Sequence, residues 1–334
     1  MATGSTIRVG LVGAGRFSST RVVPELQRAH GVSLVTVANS SAESTARTAE
    51  RFGIPAQASS WEDVVSSPDV DVVFTGTQAP QHHAILLGAI QNDKHVLTMN
   101  PLAMTAEEGR EILAALEARP ALKARQYPAF PHGPYAREDA LVLRLLAQGR
   151  IGQVLSAEAR WHTPYLAFGS YFDILNRWVG QHTRLFAVRR QYEVGNRRVG
   201  FSAIVAELGE DRVVRYLHDN LPPRGAQNAR IALHGEHGSI IVEAYPADPF
   251  ASVRVAEGEG AEAEPIPVPD DLRAAYEEER HVNIEEQFAQ WVMGGAEPTP
   301  LLLTFRQGLQ SLDAAETFVA SMRQGGAWVD IPQD

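Results

Sequence analysis

Two short stretches and one scarcity in this 334-residue sequence bear on chemistry. Gly13-Ala14-Gly15 follows directly on an apolar run at 7–12, and a helix-like segment comes next. A strand, tight turn and helix in that order hold a pyrophosphate on backbone amides. The first glycine allows the turn, the second lets phosphate approach, and the third packs helix on strand. That third position is Ser18, while Arg16 and Phe17 join Gly13 and Gly15 as candidate cofactor contacts. At the end of the next apolar run stands Asn39-Ser40-Ser41, with Ser44, Thr45 and Arg47 just beyond. A carboxylate there would accept from the 2′-hydroxyl of NAD, whereas hydroxyls and arginine suit the 2′-phosphate of NADP. NADP or NAD is therefore the expected cofactor, with NADP preferred, although the same serines also serve to cap a helix. The scarcity is of lysine: of 30 basic side chains only Lys94 and Lys123 are lysines, so a catalytic lysine must be one of these.

The elements that must position these residues alternate. Strands are expected at 7–12, 33–38, 70–75, 95–98 and 124–127, with helices between them, which reads as β-α units around a parallel sheet. Ser40 to Glu43 has the form of a capping box opening a helix that ends at Gly53. Further helices are expected at 81–91, at 105–117, and over a stretch with Leu141, Val142, Leu145 and Leu146 on one face. After Gly149-Arg150-Ile151-Gly152 longer β-type runs follow at 154–161, 201–208, 212–218 and 230–242, interrupted by one helix at 171–188. Residues 256–270, acidic and rich in proline and glycine, read as a solvated loop. Two helices close the chain, the second with Leu309, Leu312, Val319 and Met322 on one face. The expected class is α/β, with a Rossmann domain at 1–125 and an α/β domain at 126–334 built on an open, mostly antiparallel sheet. The last helix is a candidate to pack back on the first domain.

Composition narrows the rest. The net charge is −10 without a basic run, which disfavours a nucleic-acid partner. Cysteine is absent, so disulfides, thiolate metal sites and cysteine nucleophiles are excluded. No apolar run reaches membrane-spanning length and the start has no signal-peptide pattern, so a cytoplasmic protein with no membrane partner is expected. None of the histidines shows a metal-ligand spacing.

Residues 75–103, TGTQAPQHHAILLGAIQNDKHVLTMNPLA, resemble the Gfo/Idh/MocA oxidoreductases. The matching positions include Thr77, Pro80, His83, Lys94-His95-Val96 and Pro101-Leu102-Ala103. Gly149 to Gly152, the RIALHGEHGSIIVE stretch and the TFRQGLQSLDAAE helix extend the resemblance over nearly the whole chain. It implies an N-terminal Rossmann domain, a C-terminal α/β domain, and a homodimer or homotetramer packed through the open sheet. Thr77, His83 and Pro101 would then contact the cofactor, and a small-molecule substrate would sit beside the nicotinamide.

The family's E-K-P lysine falls on Asn100 and its glutamate on Met99. Asparagine can donate a hydrogen bond to a substrate oxygen but cannot exchange a proton near neutral pH. The family's D-x-G-x-H helix motif aligns in two registers. One keeps Asp173 and puts Arg177 on the histidine; the other matches Gly180 and His182 and puts Trp178 on the aspartate. Asn100, Asp173, Arg177 and His182 are thus the catalytic candidates, with an i,i+4 ion pair between Asp173 and Arg177 as the alternative use of those two. Tyr127, His132, Tyr135, His162, Tyr165 and Tyr171 are polar side chains that could supply the missing proton. The expected activity is hydride transfer to or from a carbonyl or imine carbon of a small polar, sugar-like or natural-product substrate. Two alternatives stay open: a cofactor-retaining eliminase, isomerase or glycoside-cleaving enzyme, and an inactive ligand sensor or regulator.

Overall fold

A computed structural model describes residues 6–128, 135–162, 168–209, 211–220, 229–243, 253–279, 283–298 and 302–333. By backbone contact the chain divides into two compact units. One comprises Met1–Ala129 with Glu279–Leu312, the other Phe130–Glu278 with Asp313–Asp334.

The first unit opens with β1 (Ile7–Val12), a π-helical turn at Ser18–Val22 and α1 (Val23–Arg28). Pro24 has no N–H to give a carbonyl four residues back, which accounts for the widened turn ahead of α1. Next come β2 (Val32–Ala38), α2 (Ala42–Phe52), β3 (Ala56–Gln57), α3 (Trp61–Ser66) and β4 (Val72–Thr75). Then follow α4 (His82–Gln91), β5 (His95–Thr98), α5 (Ala106–Glu117) and β6 (Ala124–Gln126). The strands pair in parallel in the order β3-β2-β1-β4-β5-β6. That order reverses between β1 and β4, and the crevice at such a reversal is where a doubly wound sheet takes its ligand. Alternate residues serve two apolar layers: Val73, Val96 and Ala124 on one face, Val72, Phe74 and Leu97 on the other.

Two expectations for this unit are corrected. The N-cap of α2 is Ser41, whose hydroxyl accepts from Ser44 N at 3.2 Å, so the cap lies one residue beyond the expected Ser40 box. Glu43 instead turns along the helix to Arg47. The β3 and α3 segments were not expected, being too short to show a period.

The second unit contains α6 (Tyr135–Ala147), β7 (Val154–His162), α7 (Phe168–Val179), β8 (His182–Val194), β9 (Arg197–Leu208) and β10 (Arg212–Asp219). It continues with β11 (Ala229–Gly235), β12 (Gly238–Glu243), β13 (Val253–Glu257), β14 (Glu264–Pro265) and α8 (Asp270–Glu279). After α9 (Ile284–Val292), which belongs to the first unit, α10 (Phe305–Arg323) spans the division at 312/313 and β15 (Val329–Asp330) follows. The sheet runs β14-β13-β12-β11-β7-β10-β9-β8-β15 and is antiparallel except for the β7–β10 pair. One face carries Ala157, Ala159, Trp161, Val214 and Tyr216, which pack with Tyr171, Phe172 and Leu175 of α7 and Leu141 of α6.

Three further corrections fall here. The helix expected at 171–188 stops at Val179, because Gly180 takes φ +103° and the chain leaves as β8. Parts of the expected loop at 256–270 pair as β13 and β14, and Asp270 opens α8. On α10 Val319 is 37% exposed, while its neighbour Phe318 takes the buried position. By backbone contact, 279–312 clusters with the first unit.

Candidate functional site

The glycine turn is held by contacts that only glycine permits. Gly13 has φ +79°, and a Cβ on it would come within 2.5 Å of Thr77 Cγ2 and 2.9 Å of Thr77 N. A Cβ on Gly76 would lie 2.3 Å from the Gly13 carbonyl and 2.4 Å from Ser18 Oγ. The chain thus crosses itself closely between the ends of β1 and β4. Ser18, buried under the turn, fits because Gly76 lacks a side chain. Around Gly15, by contrast, a Cβ would meet nothing closer than Gly76 O at 3.8 Å, which leaves the space a phosphate needs.

Asn39 locks this turn rather than reaching out from it. Its Oδ1 accepts from Ala14 N at 2.7 Å, its Nδ2 donates to Ser44 O and Thr48 Oγ1, and its own N–H donates to Thr45 Oγ1. Beside it opens a cleft of about 1220 Å³. Gly13, Gly15, Asn39, Ser40, Ser44 and Thr77 line it, as do Arg47, Glu50 and Arg51. Arg51, which the sequence reading did not single out, lies over the Phe52 ring at 4.8 Å. Arg16, Phe17 and Ser41 stand exposed beside the cleft without lining it.

A nicotinamide dinucleotide fits these residues on two observations. The cradle at Gly13 and Gly15 has the room described, and Thr77 Oγ1 is buried without a hydrogen-bond partner although Thr77 lines the cleft. An unpartnered hydroxyl of this kind is costly unless a ligand or water completes it.

Along β5 the chain reaches Met99, whose N–H donates to Thr75 O at 2.9 Å, then half-buried Asn100 and a cis Asn100–Pro101 bond. Asn100 therefore stands at the C-terminal edge of the sheet, one strand from Thr77. His82 is fully buried, with Nδ1 2.6 Å from Pro101 O and Nε2 3.1 Å from Thr77 O. Burial pushes its pKa down, and the two carbonyls act the other way. His83, the residue carried over by resemblance, turns instead to Glu111 at 2.7 Å and lines no part of the cleft. Both lysines are occupied at the opposite edge of the sheet. Lys94 Nζ donates to Ser67 O and Val70 O, and Lys123 Nζ donates to Trp291 O. Tyr127 is sealed in the core, where its hydroxyl donates to Glu285.

In the second unit the catalytic candidates separate. Asp173 is half-buried on α7. Arg177 does not pair with it; its guanidinium meets Asp139 of α6 at 2.8 Å, and Trp178 Nε1 donates to the same carboxylate. His182 is not on the helix at all but begins β8, fully buried. Its backbone N–H and Nδ1 both face Asn176 Oδ1, at 3.2 and 2.5 Å, so Nδ1 carries the proton and Nε2 accepts from Tyr216 OH at 2.6 Å. Burial lowers its pKa to about 3, leaving a neutral ring with both nitrogens used. This removes the second register of the helix motif and His182 as a proton donor to substrate. His162 Nδ1 lies 2.7 Å from Asp219 Oδ1, and Tyr171 stacks on Trp161 at 4.3 Å. His132 and Tyr165 lie outside the described residues, as does the side chain of Tyr135. Among the described residues no group of three or more His, Asp or Glu is placed to hold a metal ion. None of the described helices is long and apolar enough to cross a membrane.

The strand order and the glycine turn define a dinucleotide-binding Rossmann unit. Residues 7–124 match the GFO_IDH_MocA family, an oxidoreductase family with an NAD-binding Rossmann fold. Over 160 residues it is 37% identical to a 1,5-anhydro-D-fructose reductase of Ensifer adhaerens, covering 48% of this chain and 46% of that one. Over 162 residues it is 32% identical to the trans-1,2-dihydrobenzene-1,2-diol dehydrogenase of Homo sapiens, covering 46% of each. The match thus spans about half the length of these curated relatives. Among solved structures, an apo levoglucosan dehydrogenase is similar over 99% of this chain and 100% of its own, with TM-score 0.77 and 18% identity. A Synechocystis biliverdin reductase bound to biliverdin and NADP+ covers 95% and 99%, with TM-score 0.72 and 19% identity. At these identities the likeness establishes the fold alone.

Proposed function

We propose that this chain is an NAD(P)-dependent oxidoreductase that moves a hydride between nicotinamide and a carbonyl or imine carbon of a small polar substrate. The observation that carries the proposal is the cleft at the β1/β4 reversal, with its glycine cradle and the unpartnered Thr77 hydroxyl. Bound there, the nicotinamide supplies or accepts the hydride at C4. The backbone at Gly13 and Gly15 would hold the pyrophosphate, with Arg16 and Phe17 beside it, and Asn39 would keep that turn in shape. Asn100 and Pro101 would face the substrate end, where the Asn100 amide can orient an oxygen without exchanging its proton. With both lysines bonded elsewhere, the proton would pass through water. This arrangement suits reduction better than oxidation of an unactivated alcohol, which needs a base as the hydride leaves. The named activities of the relatives, a sugar-derivative reductase and a dihydrodiol dehydrogenase, support a small oxygenated substrate.

For the cofactor we favour NADP. Ser40, Ser44, Arg47 and Arg51 line the end of the cleft beyond β2, with Ser41 as the cap beside them and Glu50 as a carboxylate on the same rim. Hydroxyls at a helix start and guanidinium groups suit a 2′-phosphate. We further propose a homodimer or homotetramer working in the cytoplasm. Exposed Phe201 and Val213, on the sheet face away from α6 and α7, support association.

The test is fluorescence titration of the purified protein with NADPH and NADH, then a panel of carbonyls, imines and polyols. Tighter binding of NADPH and its oxidation by a carbonyl or imine are expected. Absence of nicotinamide binding would overturn the proposal. A copurified nucleotide that never turns over stoichiometrically would point instead to the eliminase or isomerase class.

A further inference from the structure

The sequence puts two histidines side by side, and the structure uses them oppositely. His83 points out to Glu111, whereas His82 is shut inside the first unit with both ring nitrogens against backbone carbonyls. Those carbonyls belong to Thr77, which lines the cleft, and to Pro101, the residue after Asn100. On the other side of Thr77 lies the glycine turn, close enough that a Cβ on Gly13 would reach Thr77 N and Cα at 2.9 and 3.0 Å. A continuous string of contacts therefore runs from the pyrophosphate turn through Thr77, the imidazole and Pro101 to Asn100.

We propose that His82 is a positioning residue: the ring sets the spacing between the cofactor-side loop at Gly76–Thr77 and the substrate-side turn at Asn100–Pro101. This rests on the oxidoreductase reading above and names a residue through which that site is set. An imidazole is suited to the task because it is planar and carries its two polar atoms at a fixed separation, with no torsion between them. It also makes the two ends unequal. A neutral ring has one N–H, and the shorter contact puts it on Nδ1 toward Pro101. At the Thr77 end the bare Nε2 lone pair then faces the carbonyl oxygen, a packing contact without a hydrogen bond, which shifts as the loop adjusts to a ligand. Hydride transfer needs donor and acceptor carbons within a few tenths of an ångström of one separation, so a rigid spacer beneath both loops acts directly on the rate.

Two substitutions separate the ends. In His82→Asn the amide nitrogen takes the place of Nδ1 and keeps the Pro101 tie. In His82→Gln it takes the place of Nε2, keeps the contact with Thr77 and loses the Pro101 hydrogen bond. NADPH affinity is read by fluorescence, without turnover, and kcat and KM on the reduced substrate are read separately. Expected for His82→Asn, which removes the ring edge that backs the Thr77 carbonyl, is an NADPH Kd raised about tenfold, with substrate KM near the parent value. Expected for His82→Gln is an NADPH Kd near the parent value with kcat down about tenfold or more. Equal behaviour of the two, or unchanged Kd, kcat and KM with only a lowered melting temperature, would overturn the proposal. Failure of the parent itself to bind NADPH or NADH would overturn the underlying reading instead. Should neither variant fold, the ¹⁵N signals of His82 in the parent decide. They must shift when NADPH is added, and signals that stay put would overturn the proposal.

Discussion

At the scale of single residues, Gly13 and Glu285 give sharp expectations. Gly13→Ala would put a methyl group 2.5 Å from Thr77 Cγ2 at a φ of +79°. The left-handed conformation alone costs about 1–2 kcal/mol for an L side chain. Nicotinamide affinity should fall at least about tenfold, a loss of about 1.4 kcal/mol, as read by fluorescence titration. Glu285 is buried at 4% exposure beside the Tyr127 hydroxyl, and burial pushes its pKa up to about 7 from the usual 4.5. The folded state therefore holds a proton that the unfolded chain releases between those values. Its stabilising share is present below about pH 4.5 and is lost as pH rises through about 7, a swing on the order of 3 kcal/mol. Glu285→Gln, which keeps an acceptor for Tyr127, should raise the melting temperature at pH 8.5 and change it little at pH 5. Equal shifts at both values would show that the carboxyl is not protonated in the fold. Neither this pair nor Arg177–Asp139 was legible in the sequence, because each joins residues that only the folded chain brings together.

At the scale of elements, legibility followed the strength of the local signal. Strands β1 and β5 match the expected 7–12 and 95–98, because short apolar runs with sharp boundaries leave little choice. The capping register slipped by one at α2, where two serines offer equivalent hydroxyls and only the backbone turn selects Ser41. Ser41→Ala should cost about 1 kcal/mol, seen in chemical denaturation, whereas Ser40→Ala should leave stability nearly unchanged. Ser40 lines the cleft, so its substitution should weaken NADPH more than NADH. The larger misreading, 180–188 taken as helix, has a physical cause. Apolar residues there follow α7 closely enough to extend its period. Gly180 breaks it, and the alternation of buried Leu185 and Ala187 with partly exposed Phe186 and Val188 is the signature of a strand. That misreading is what made His182 look catalytic. Once β8 is recognised, the imidazole belongs to the sheet core, between Asn176 and Tyr216.

At the scale of the whole molecule, the sequence conveyed a Rossmann unit and a second unit with a mostly antiparallel sheet, but not how the chain is shared between them. Residues 279–312 return to the first unit. There α9 brings Phe288 and Ala289 into the same apolar cluster as Leu11, Val37, Phe74 and Leu97. The amphipathic pattern of α9 shows that it buries a face; it carries no sign of which core receives it. A fragment of residues 1–129 should therefore lack a cooperative melting transition by circular dichroism, although it contains the whole parallel sheet. In the full chain Phe288→Ala should cost about 3–5 kcal/mol, the range for emptying a buried aromatic site. A fragment that melted cooperatively would show that 279–312 is dispensable to the Rossmann core.

The serine at position 18 shows how a fingerprint can be kept while one of its letters is lost. Gly76 is already obligatory, because its absent side chain admits the Gly13 carbonyl from the strand next door. The same absence admits the Ser18 hydroxyl, so one empty volume answers two steric demands. The information that a third glycine would have stored next to the turn is stored instead some sixty positions downstream. A search along the chain scores this motif as degraded; a search across the strands would score it as whole.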